Sequence, residues 1–534
     1  MRGLRGWSAM VGQPLLMGID LGTSSVKVLL VTVDGHVAGQ GAAEYGIDRP
    51  APDRAEQHPD AWWRGVAEAT GVALGAAASQ TPDGTKPADR VVAIGMSGQM
   101  HGLVLMSAAH EPLAPAVIWP DQRSGDVVAE LTERLGASEI IRLTGGRLAS
   151  GFMAATLAWL RRHDPALLDR AAVCLSPKDA VRLRLTGELA TEPSDGSGTG
   201  MLNPATRRWA PEVLAAVGIG EGQLPPLLEA SSVAGTLRPA AAADLGLPPG
   251  IPVVVGGGDT PIGMLGAGLT SRGTFMLSLS TGGQLAVPAA EPNTDPEGTT
   301  LTYCSVLPPS PTTAGWYRMA AILSAGLALR WLRDEVFEFT GPDAYSRMLA
   351  LAAGVPPGSR GLIFLPYLAG ERSPHLDPQA RGVLLGLTAA HGRAELVRAV
   401  VEGITLGCFD ASRGLAAAGQ LGSMITLAGG GGKSPEWQHI VADVFGLPVR
   451  HLESGEQAAL GACLLAGGGI GLIETVAAAA AWARLGPVVE PDARRHEVYG
   501  AVYDVFRDGY PSVQPMFSRL TALADLERGA HPPG

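Results

Sequence analysis

The sequence has little that would place it in a membrane or cross-link it covalently. No stretch approaches about 18 uninterrupted apolar residues, so a membrane-spanning helix is not expected. Its four cysteines are scattered without a C-x-x-C pair, which argues against a zinc site and against a disulfide framework. In residues 1–13, Gly12 and Gln13 break the apolar run, so we expect an N-terminal extension and no signal peptide. These absences favour a reducing cytoplasm.

Positive charge is scarce as well. There are only four lysines, which we attribute to a composition bias towards arginine, and the formal net charge is -11. Nucleic acids and anionic membranes attract basic surfaces, so neither is an expected partner. A bound nucleotide would need local help from a lysine, from backbone N–H groups or from a metal ion.

The length of 534 residues, with 46% hydrophobic residues, predicts at least two domains. Strand and helix patterns alternate along the chain, which indicates an α/β fold. Residues 236–252 are rich in alanine, proline and glycine, and we expect the connection between domains there.

A P-loop is also missing, although "LAGGGGKSPEW" at residues 427–437 looks like one. The pattern needs glycine five residues before Gly432, where this chain has Leu427. The run is instead predicted to join a buried strand to a helix capped by Ser434. Its glycines would let the backbone approach a flat ligand, and the adenosine end of ATP is the candidate. A tight turn without a ligand is the alternative.

Two turns have the composition of phosphate-binding loops. "GIDLGTSSVK" places Asp20 where a strand gives way to hydroxyl-bearing residues, and "LSTGGQ" at residues 279–284 repeats that arrangement. Asp20 could hold a hydrated Mg²⁺ while the turn donates hydrogen bonds to phosphate oxygens. An ordinary hairpin corner is the alternative. The repeated pattern suggests an internal duplication.

Asp259 is the candidate for acid–base chemistry. It closes the apolar strand "IPVVVGGGD", and Thr260 and Pro261 are predicted as the N-cap and first residue of a helix. Its carboxylate could accept the proton of an alcohol that attacks ATP. A structural, helix-capping aspartate is the other interpretation.

These elements belong to an ordered set of motifs that covers about residues 15–515. The set comprises "GIDLGTSSVK", "SGQMHG", "VIWPDQR", "LSPKDAVRLRLTGE", "GGGD", "LPYLAGERSPH", "RGVLLGLTAAHGRAELVRAVVEG" and "LAGGGGKSPEWQHIVADVFGLPV". In this order they resemble the FGGY carbohydrate kinases. Residues 382–403 fit the second signature of that family throughout, whereas Thr156 stands in the first signature where lysine is usual.

The resemblance implies an α/β protein of two actin-like (ribonuclease H-like) domains, at 14–255 and 256–515, with a catalytic cleft between them. The first domain would bind the sugar and the second would bind ATP. A histidine confined to a structural turn is the alternative for His101. The implied site residues are Asp259 as catalytic base; Asp20 for Mg²⁺ and phosphate; Met100, His101, Trp119, Asp121, Arg123 and Thr260 for the sugar; and Thr23, Ser24, Lys27, Thr281, Gly282, Gly283, Gly430, Gly431 and Lys433 for the nucleotide.

Three of these motifs depart from the usual family pattern. Thr260 replaces an asparagine or glutamine, Pro120 replaces an asparagine, and the loop ending in Gly282 and Gly283 replaces Gly-Thr-Ser-Gly. Two changes concern the sugar pocket and one concerns a phosphate loop. The substrate is therefore less firmly implied than the reaction.

The expected function is ATP- and Mg²⁺-dependent phosphorylation of the terminal hydroxyl of a ketopentose, with D-xylulose as first choice. Another ketose or polyol of the same family is an alternative substrate. An actin- or chaperone-like ATPase and a sugar-sensing protein without transferase activity are alternatives from other classes. A homodimer is left open, and the small-molecule partners are the sugar and ATP.

Overall fold

The computed structural model describes residues 12–80, 85–419 and 421–530, with side chains described up to residue 523. Apart from Gly12 and Gln13, the expected N-terminal extension lies outside these ranges. No helix within them is long and apolar enough to cross a bilayer.

Short strands alternate with helices along the whole described chain, as the sequence predicted. The strands are β1 (Leu15–Leu21), β2 (Ser25–Thr32), β3 (Val37–Glu44), β4 (Glu56–Gln57), β5 (Val91–Gly98), β6 (Val104–Met106), β7 (Ala116–Val117), β8 (Val173–Leu175), β9 (Leu202–Asn203), β10 (Arg208–Trp209), β11 (Val233–Thr236), β12 (Pro252–Val254), β13 (Gly257–Gly258), β14 (Thr274–Leu279), β15 (Gly283–Ala289), β16 (Leu301–Cys304), β17 (Trp316–Ile322), β18 (Ile363–Leu365), β19 (Val383–Leu385), β20 (Met424–Ala428) and β21 (Val449–His451).

The helices connect these strands and cover the sheets. They are α1 (Pro59–Ser79), α2 (Gly125–Leu135), α3 (Ala137–Thr144), α4 (Met153–His163), α5 (Pro165–Asp169), α6 (Pro177–Thr186), α7 (Pro193–Gly198), α8 (Pro211–Val217), α9 (Pro239–Leu245), α10 (Asp259–Gly266), α11 (Gly326–Trp331), α12 (Ala344–Ala352), α13 (Arg393–Ala417), α14 (Pro435–Phe445), α15 (Gln457–Gly469), α16 (Thr475–Trp482) and α17 (Ala493–Ala530). Shorter helical turns lie at Pro87–Arg90, Glu221–Gln223, Leu332–Val336, Ser359–Gly361 and Gly430–Lys433.

The first sheet has the order β11-β12-β5-β1-β2-β3, with β13 also paired to β5. Strand β1 is antiparallel to β2 and parallel to β5. It reads as a continuous apolar run because both faces are covered, on one side by an apolar cluster that includes Trp62 and Val66 of α1 and on the other by α15.

The second sheet has the order β16-β17-β15-β14-β20-β21. Its central strand β14 is antiparallel to β15 and parallel to β20, which repeats the arrangement of β1 with β2 and β5. The structure thus confirms the duplication that the two similar turns suggested, and it confirms two sheet-containing halves of the actin-like kind.

The connection expected at residues 236–252 is wrong. Those residues form the end of β11, the helix α9 and the start of β12, all of which belong to the first sheet or its covering layer. The alanines form a helix with a buried face, including Ala241 and Ala242, and do not form a surface linker. The domain limits 14–255 and 256–515 stay a prediction.

The two halves meet along α10 and α15, which pack so closely that glycine is required at the contact. A Cβ added at Gly266 of α10 would lie 1.9 Å from the backbone oxygen of Gln457. At Gly18 of β1, a Cβ would lie 2.0 Å from the backbone oxygen of Ala459. An apolar cluster that includes Leu16, Val254, Ile262 and Leu464 fills the space around this contact. The cleft therefore opens from a rigid, well-packed base.

We predict that Gly266→Ala destabilises the protein, because the new methyl group would collide with backbone that cannot move aside. Overpacking of this kind costs about 1–3 kcal/mol, and the midpoint of urea unfolding should fall accordingly. Gly263→Ala, in the same helix, is the matched control since its Cβ would meet no atom within 4 Å. A control variant that unfolds as early as Gly266→Ala would contradict the packing argument.

Candidate active site

Four neighbouring strands place chemically distinct residues in one row across the first sheet. The register pairs Lys27 of β2 with Asp20 of β1, and Asp20 with Ser97 of β5. Ser97 is paired in turn with Gly257 of β13, two residues before Asp259. Consecutive strand ends thus bring the two candidate carboxylates to the same edge of the sheet.

Asp20 lies at this edge with little access to water. The hydroxyl of Ser97 donates a hydrogen bond to its Oδ1 at 2.9 Å. Burial raises the pKa of Asp20, while Ser97 and the charge of Lys27 act in the opposite direction. Lys27 also pairs with Glu456, next to the start of α15, at 2.9 Å. The predicted nucleotide-binding lysine therefore bridges the two halves.

Asp259 is the first residue of α10, and Gly258 is the N-cap. The prediction of Thr260 as N-cap is wrong by two positions, because the helix starts directly from β13. The backbone N–H of Thr260 donates to Oδ1 of Asp259 at 2.6 Å, and its hydroxyl lies 3.3 Å from the same oxygen. Oδ2 is left for a ligand. Burial, followed by repulsion from Asp20, raises the pKa of Asp259 to about 7.

A cavity of about 370 Å³ extends from Asp259 and Thr260 towards the second sheet. Gly430 and Lys433 line it, together with Ser280 and Gln284. A Cβ added at Gly430 would meet nothing within 4 Å, so the backbone there faces open space. As predicted, Ser434 caps the following helix α14, and its side chain accepts a hydrogen bond from the N–H of Trp437.

A second cavity, of about 270 Å³, adjoins the first at the far side of the glycine run. Thr281, Gly430 and Gly431 line it, with Trp437 and Tyr345. Its aromatic and backbone surfaces suit a flat heterocycle. The two cavities together form a groove that starts at Asp259 and ends beside α14.

Close packing explains why residues 282 and 283 are glycines. A Cβ on Gly282 would lie 2.7 Å from the backbone oxygen of Ile322, and one on Gly283 would lie 2.9 Å from Sγ of Cys408. Neither glycine lines the two cavities of the groove.

The turn at Thr23 and Ser24 is fixed through its oxygen atoms. Gln57 donates to the carbonyl of Thr23 at 2.7 Å, and the indole N–H of Trp119 donates to the Thr23 hydroxyl at 2.8 Å. Within residues 12–80, 85–419 and 421–530, no acceptor is found for the backbone N–H of Thr23 or Ser24. These N–H groups are available to an anion.

His101 and Met100 lie on the other side of Asp259. Met100 is buried against Gly258, where a Cβ would lie 2.8 Å from its Sδ. His101 has a positive φ of 74°, stacks on Phe152 at 4.3 Å between ring centroids, and holds its Nδ1 2.5 Å from the carbonyl of Gly198. Since a carbonyl can only accept, Nδ1 carries the proton. Burial lowers the pKa of His101 to about 4, so the ring is neutral and Nε2 is an acceptor.

Asp121 and Arg123 contact each other, and neither lines a cavity of the groove. Asp121 is completely buried, and its oxygens accept from Arg123 at 2.8 Å and from the N–H of Ala55 at 2.7 Å. Arg123 also pairs with Glu56 at 2.5 Å. These contacts hold the corner that carries Trp119.

Two family profiles match this chain over most of its length. The N-terminal domain of the FGGY family of carbohydrate kinases matches residues 15–266, and the C-terminal domain of that family matches residues 276–469.

The chain belongs to the FGGY family of carbohydrate kinases.

Individual relatives agree with this assignment. A xylulose kinase of Escherichia coli strain K12 is 35% identical over 94% of this chain and 100% of its own. Among solved structures, a xyloylose kinase from Brucella ovis superposes with a TM-score of 0.85 at 33% identity, covering 94% of this chain and 100% of its own. A gluconate kinase from Lactobacillus acidophilus gives 0.87 at 25% identity, covering 95% of this chain and 100% of its own. The fold and the reaction class are thus shared, while the relatives differ in their sugars.

Sequence reasoning missed several residues of this FGGY kinase site. Ser97, Ser194 and Gln284 lie directly behind the carboxylates: Ser97 bonds Asp20, Ser194 accepts from the N–H of Gly258 at 3.2 Å, and Gln284 donates to Thr260 at 3.3 Å. Ser97 could have been found, because it stands at the end of a buried strand. The other two come from distant segments that only the fold brings together.

The residues present fit a hydrated magnesium ion. Mg²⁺ commonly binds one or two carboxylates and completes its coordination with waters and substrate phosphates. Asp20 supplies one partly buried carboxylate, with the carboxylate of Asp259 nearby. No group of three or more ligating side chains occurs in the part of the chain that the structure describes. An ion here would therefore depend on the nucleotide for most of its ligands.

The raised pKa of Asp259 predicts a pH-dependent stability of the ligand-free kinase. Between about 3.9, the value for an unfolded aspartate, and 7, the folded state holds a proton that the unfolded state has lost, so stability falls as pH rises. Three pKa units correspond to at most about 4 kcal/mol. Asp259→Asn removes this ionisation. The unfolding midpoint of the variant, measured relative to that of the wild type, should therefore increase from pH 4 to pH 8. An exposed hairpin variant, Asp34→Asn, should show no such gain. Parallel pH profiles for Asp259→Asn and the wild type would contradict the assignment.

Proposed function

We propose that this FGGY kinase transfers the γ-phosphate of ATP to the terminal hydroxyl of a ketopentose, and that D-xylulose is its substrate. The observation that carries the proposal is Asp259, a partly buried carboxylate whose Oδ2 is left for a ligand, at the junction between the groove and the His101 side of the cleft. The xylulose kinases among the relatives support this choice of sugar.

Asp259 acts as the general base. Its pKa of about 7 leaves it substantially ionised at neutral pH and makes it a stronger base than an ordinary aspartate. The hydrogen bonds from Thr260 hold Oδ1, which directs Oδ2 towards the alcohol. As the alcohol oxygen bonds to the γ-phosphorus, its proton passes to Oδ2, the bond from the γ-phosphorus to the β–γ bridging oxygen breaks, and ADP leaves.

The groove binds and orients the nucleotide. Lys433 is exposed in the first cavity, where its charge would meet the phosphates, while Gly430, Gly431 and Thr281 would contact the nucleoside end. The free N–H groups of Thr23 and Ser24 would face the γ-phosphate from the first sheet. A magnesium ion held by Asp20 would supply charge neutralisation when ATP binds.

Closure of the two halves would exclude water that could otherwise hydrolyse ATP. Lys27 of β2 and Glu456, which precedes α15, pair at 2.9 Å at the packed base of the cleft and hold the two halves together there. Sugar binding and phosphate transfer are coupled in this way.

An aldonate such as gluconate is the second candidate substrate. The gluconate kinase from Lactobacillus acidophilus superposes over nearly the whole chain, so the same fold and cleft serve that chemistry elsewhere. Both candidates present a primary hydroxyl at one end of an open chain.

We predict that Asp259→Ala lowers kcat with the best sugar by about 10²- to 10⁴-fold, the usual contribution of a general base. The KM for ATP should change little, because the groove residues remain in place. Asp34→Asn, far along the β2–β3 hairpin, should leave turnover unchanged. Turnover within a few fold of the wild type would show that Asp259 is not the base.

ADP release measured with a panel of ketoses, aldonates, polyols and glycerol tests the proposed function as a whole. We expect stimulation by D-xylulose above all others. Stimulation by gluconate alone would replace the substrate but keep the mechanism. ADP release that needs no sugar would favour an ATPase, and sugar binding without ADP release would favour a sensing protein.

A further inference from the structure

A third cavity, of about 320 Å³, lies beyond Met100 from Asp259. Residues of both halves line it: His101 and Phe152 from the first, and Met319, Ser373 and Arg372 from the second. It shares no lining residue with the two cavities of the nucleotide groove. Met100 packs on Gly258, which directly precedes Asp259, and the next residue, His101, lines this cavity. Met100 therefore separates the cavity from the catalytic base. A sugar whose reacting hydroxyl meets Asp259 would extend its other end here.

Arg372 brings an uncompensated positive charge to this cavity. Its side chain is exposed to the cavity, and no side chain or carbonyl in the described ranges accepts a hydrogen bond from its guanidinium. The adjacent Glu371 turns away, because its Oε1 accepts from the N–H groups of Leu323 and Arg372. Burial raises the pKa of Glu371 to about 8, so at neutral pH that carboxyl is mostly protonated and does not neutralise the guanidinium.

Arg372 also acts electrostatically on two other polar side chains near this cavity. It influences the ionisation of His101 and of Tyr303. Tyr303 is 1% exposed, its ring centroid lies 6.4 Å from that of His101, and its hydroxyl has no hydrogen-bond partner among the described residues. A buried polar group without a hydrogen-bond partner destabilises the folded protein. Proteins keep such groups mainly at functional sites, where a ligand can supply the partner.

An open-chain ketopentose has groups that could form hydrogen bonds with the polar side chains of this cavity. Ring closure of a ketopentose uses its 5-hydroxyl, so the form that can be phosphorylated there is the open chain, which keeps a free carbonyl towards its other end. A carbonyl oxygen needs donors, which a guanidinium supplies, whereas the neighbouring hydroxyls can donate to the acceptor Nε2 of His101. A carboxylate at the end of an aldonate would meet the same donors.

We propose that Arg372 is a further substrate-binding residue, whose guanidinium donates hydrogen bonds to the carbonyl or carboxylate oxygen at the end of an open-chain sugar opposite the phosphorylated hydroxyl. The inference rests on the proposed function for the orientation of the sugar. It assigns to Arg372 the discrimination of ketoses and aldonates from polyols, which carry no such oxygen.

The test compares D-xylulose with xylitol, which differs only by reduction of the carbonyl. In Arg372→Gln, kcat/KM for D-xylulose should fall about 10- to 100-fold, as expected when a charged hydrogen bond is lost. For xylitol, kcat/KM should change less than about threefold, as should the KM for ATP. Arg372→Lys should recover part of the preference, because it restores the charge without the planar fork. Arg272→Gln, which removes an exposed guanidinium from the same half, is the control and should match the wild type.

Each other outcome has a definite meaning. Equal losses for D-xylulose and xylitol in Arg372→Gln, or no loss for either, would overturn the inference, as would a wild type that does not distinguish them. If the wild type phosphorylates D-gluconate instead, the ketopentose is wrong, and the same comparison is made between D-gluconate and D-glucitol.

If no sugar is phosphorylated, the proposed function fails, and calorimetry decides the inference separately. D-Xylulose should then bind the wild type more tightly than xylitol does, and Arg372→Gln should abolish that difference. Equal affinities in the wild type would overturn the role of Arg372.

Discussion

Asp20 and Asp259 are partly buried at the same edge of the first sheet, where their charges repel each other. That repulsion adds to burial in raising the pKa of Asp259 to about 7. The ligand-free cleft therefore carries an electrostatic cost, which Ser97 and Lys27 offset only in part. A magnesium ion held by Asp20 would supply positive charge that offsets this repulsion. Substrate binding and activation of the base are thus consequences of one arrangement of charges.

The packing of α10 on α15 keeps that arrangement in place. Helix α10 begins with Asp259 and ends with Gly266, whose missing side chain lets it lie against the backbone of α15. Just before α15, Glu456 reaches back to Lys27 on the first sheet. A displacement of either helix would therefore move the base and the interdomain ion pair together. Close glycine contacts transmit such shifts because a packed backbone cannot deform locally.

The sequence predicted the parts of the site that depend on local pattern. Asp20, Asp259 and the glycine run at 429–432 stand at strand ends, and apolar runs followed by turn residues reveal such ends in any sequence. What the sequence could not show depends on contacts between distant segments. Asp121 and Arg123 have the composition of a binding corner, yet they satisfy each other and Glu56. Arg372 lies within the motif "LPYLAGERSPH", but the motif alone does not indicate a role in sugar binding, because that role depends on His101, more than two hundred residues earlier in the chain.

The departure at Thr260 can be understood in the same terms. Its hydroxyl donates to Oδ1 of Asp259 and accepts from Gln284, so both directions of hydrogen bonding are already used beside the base. A longer amide side chain at this position could span the distance to the sugar, whereas threonine is committed to orienting the carboxylate. Discrimination between sugars then has to come from elsewhere in the cleft. The cavity that contains His101 and Arg372 offers one acceptor and one strong donor, drawn from opposite halves of the protein. Neither half carries both groups, so the sugar can contact both only when the two halves are close together. The same closed state is required for phosphate transfer without hydrolysis of ATP.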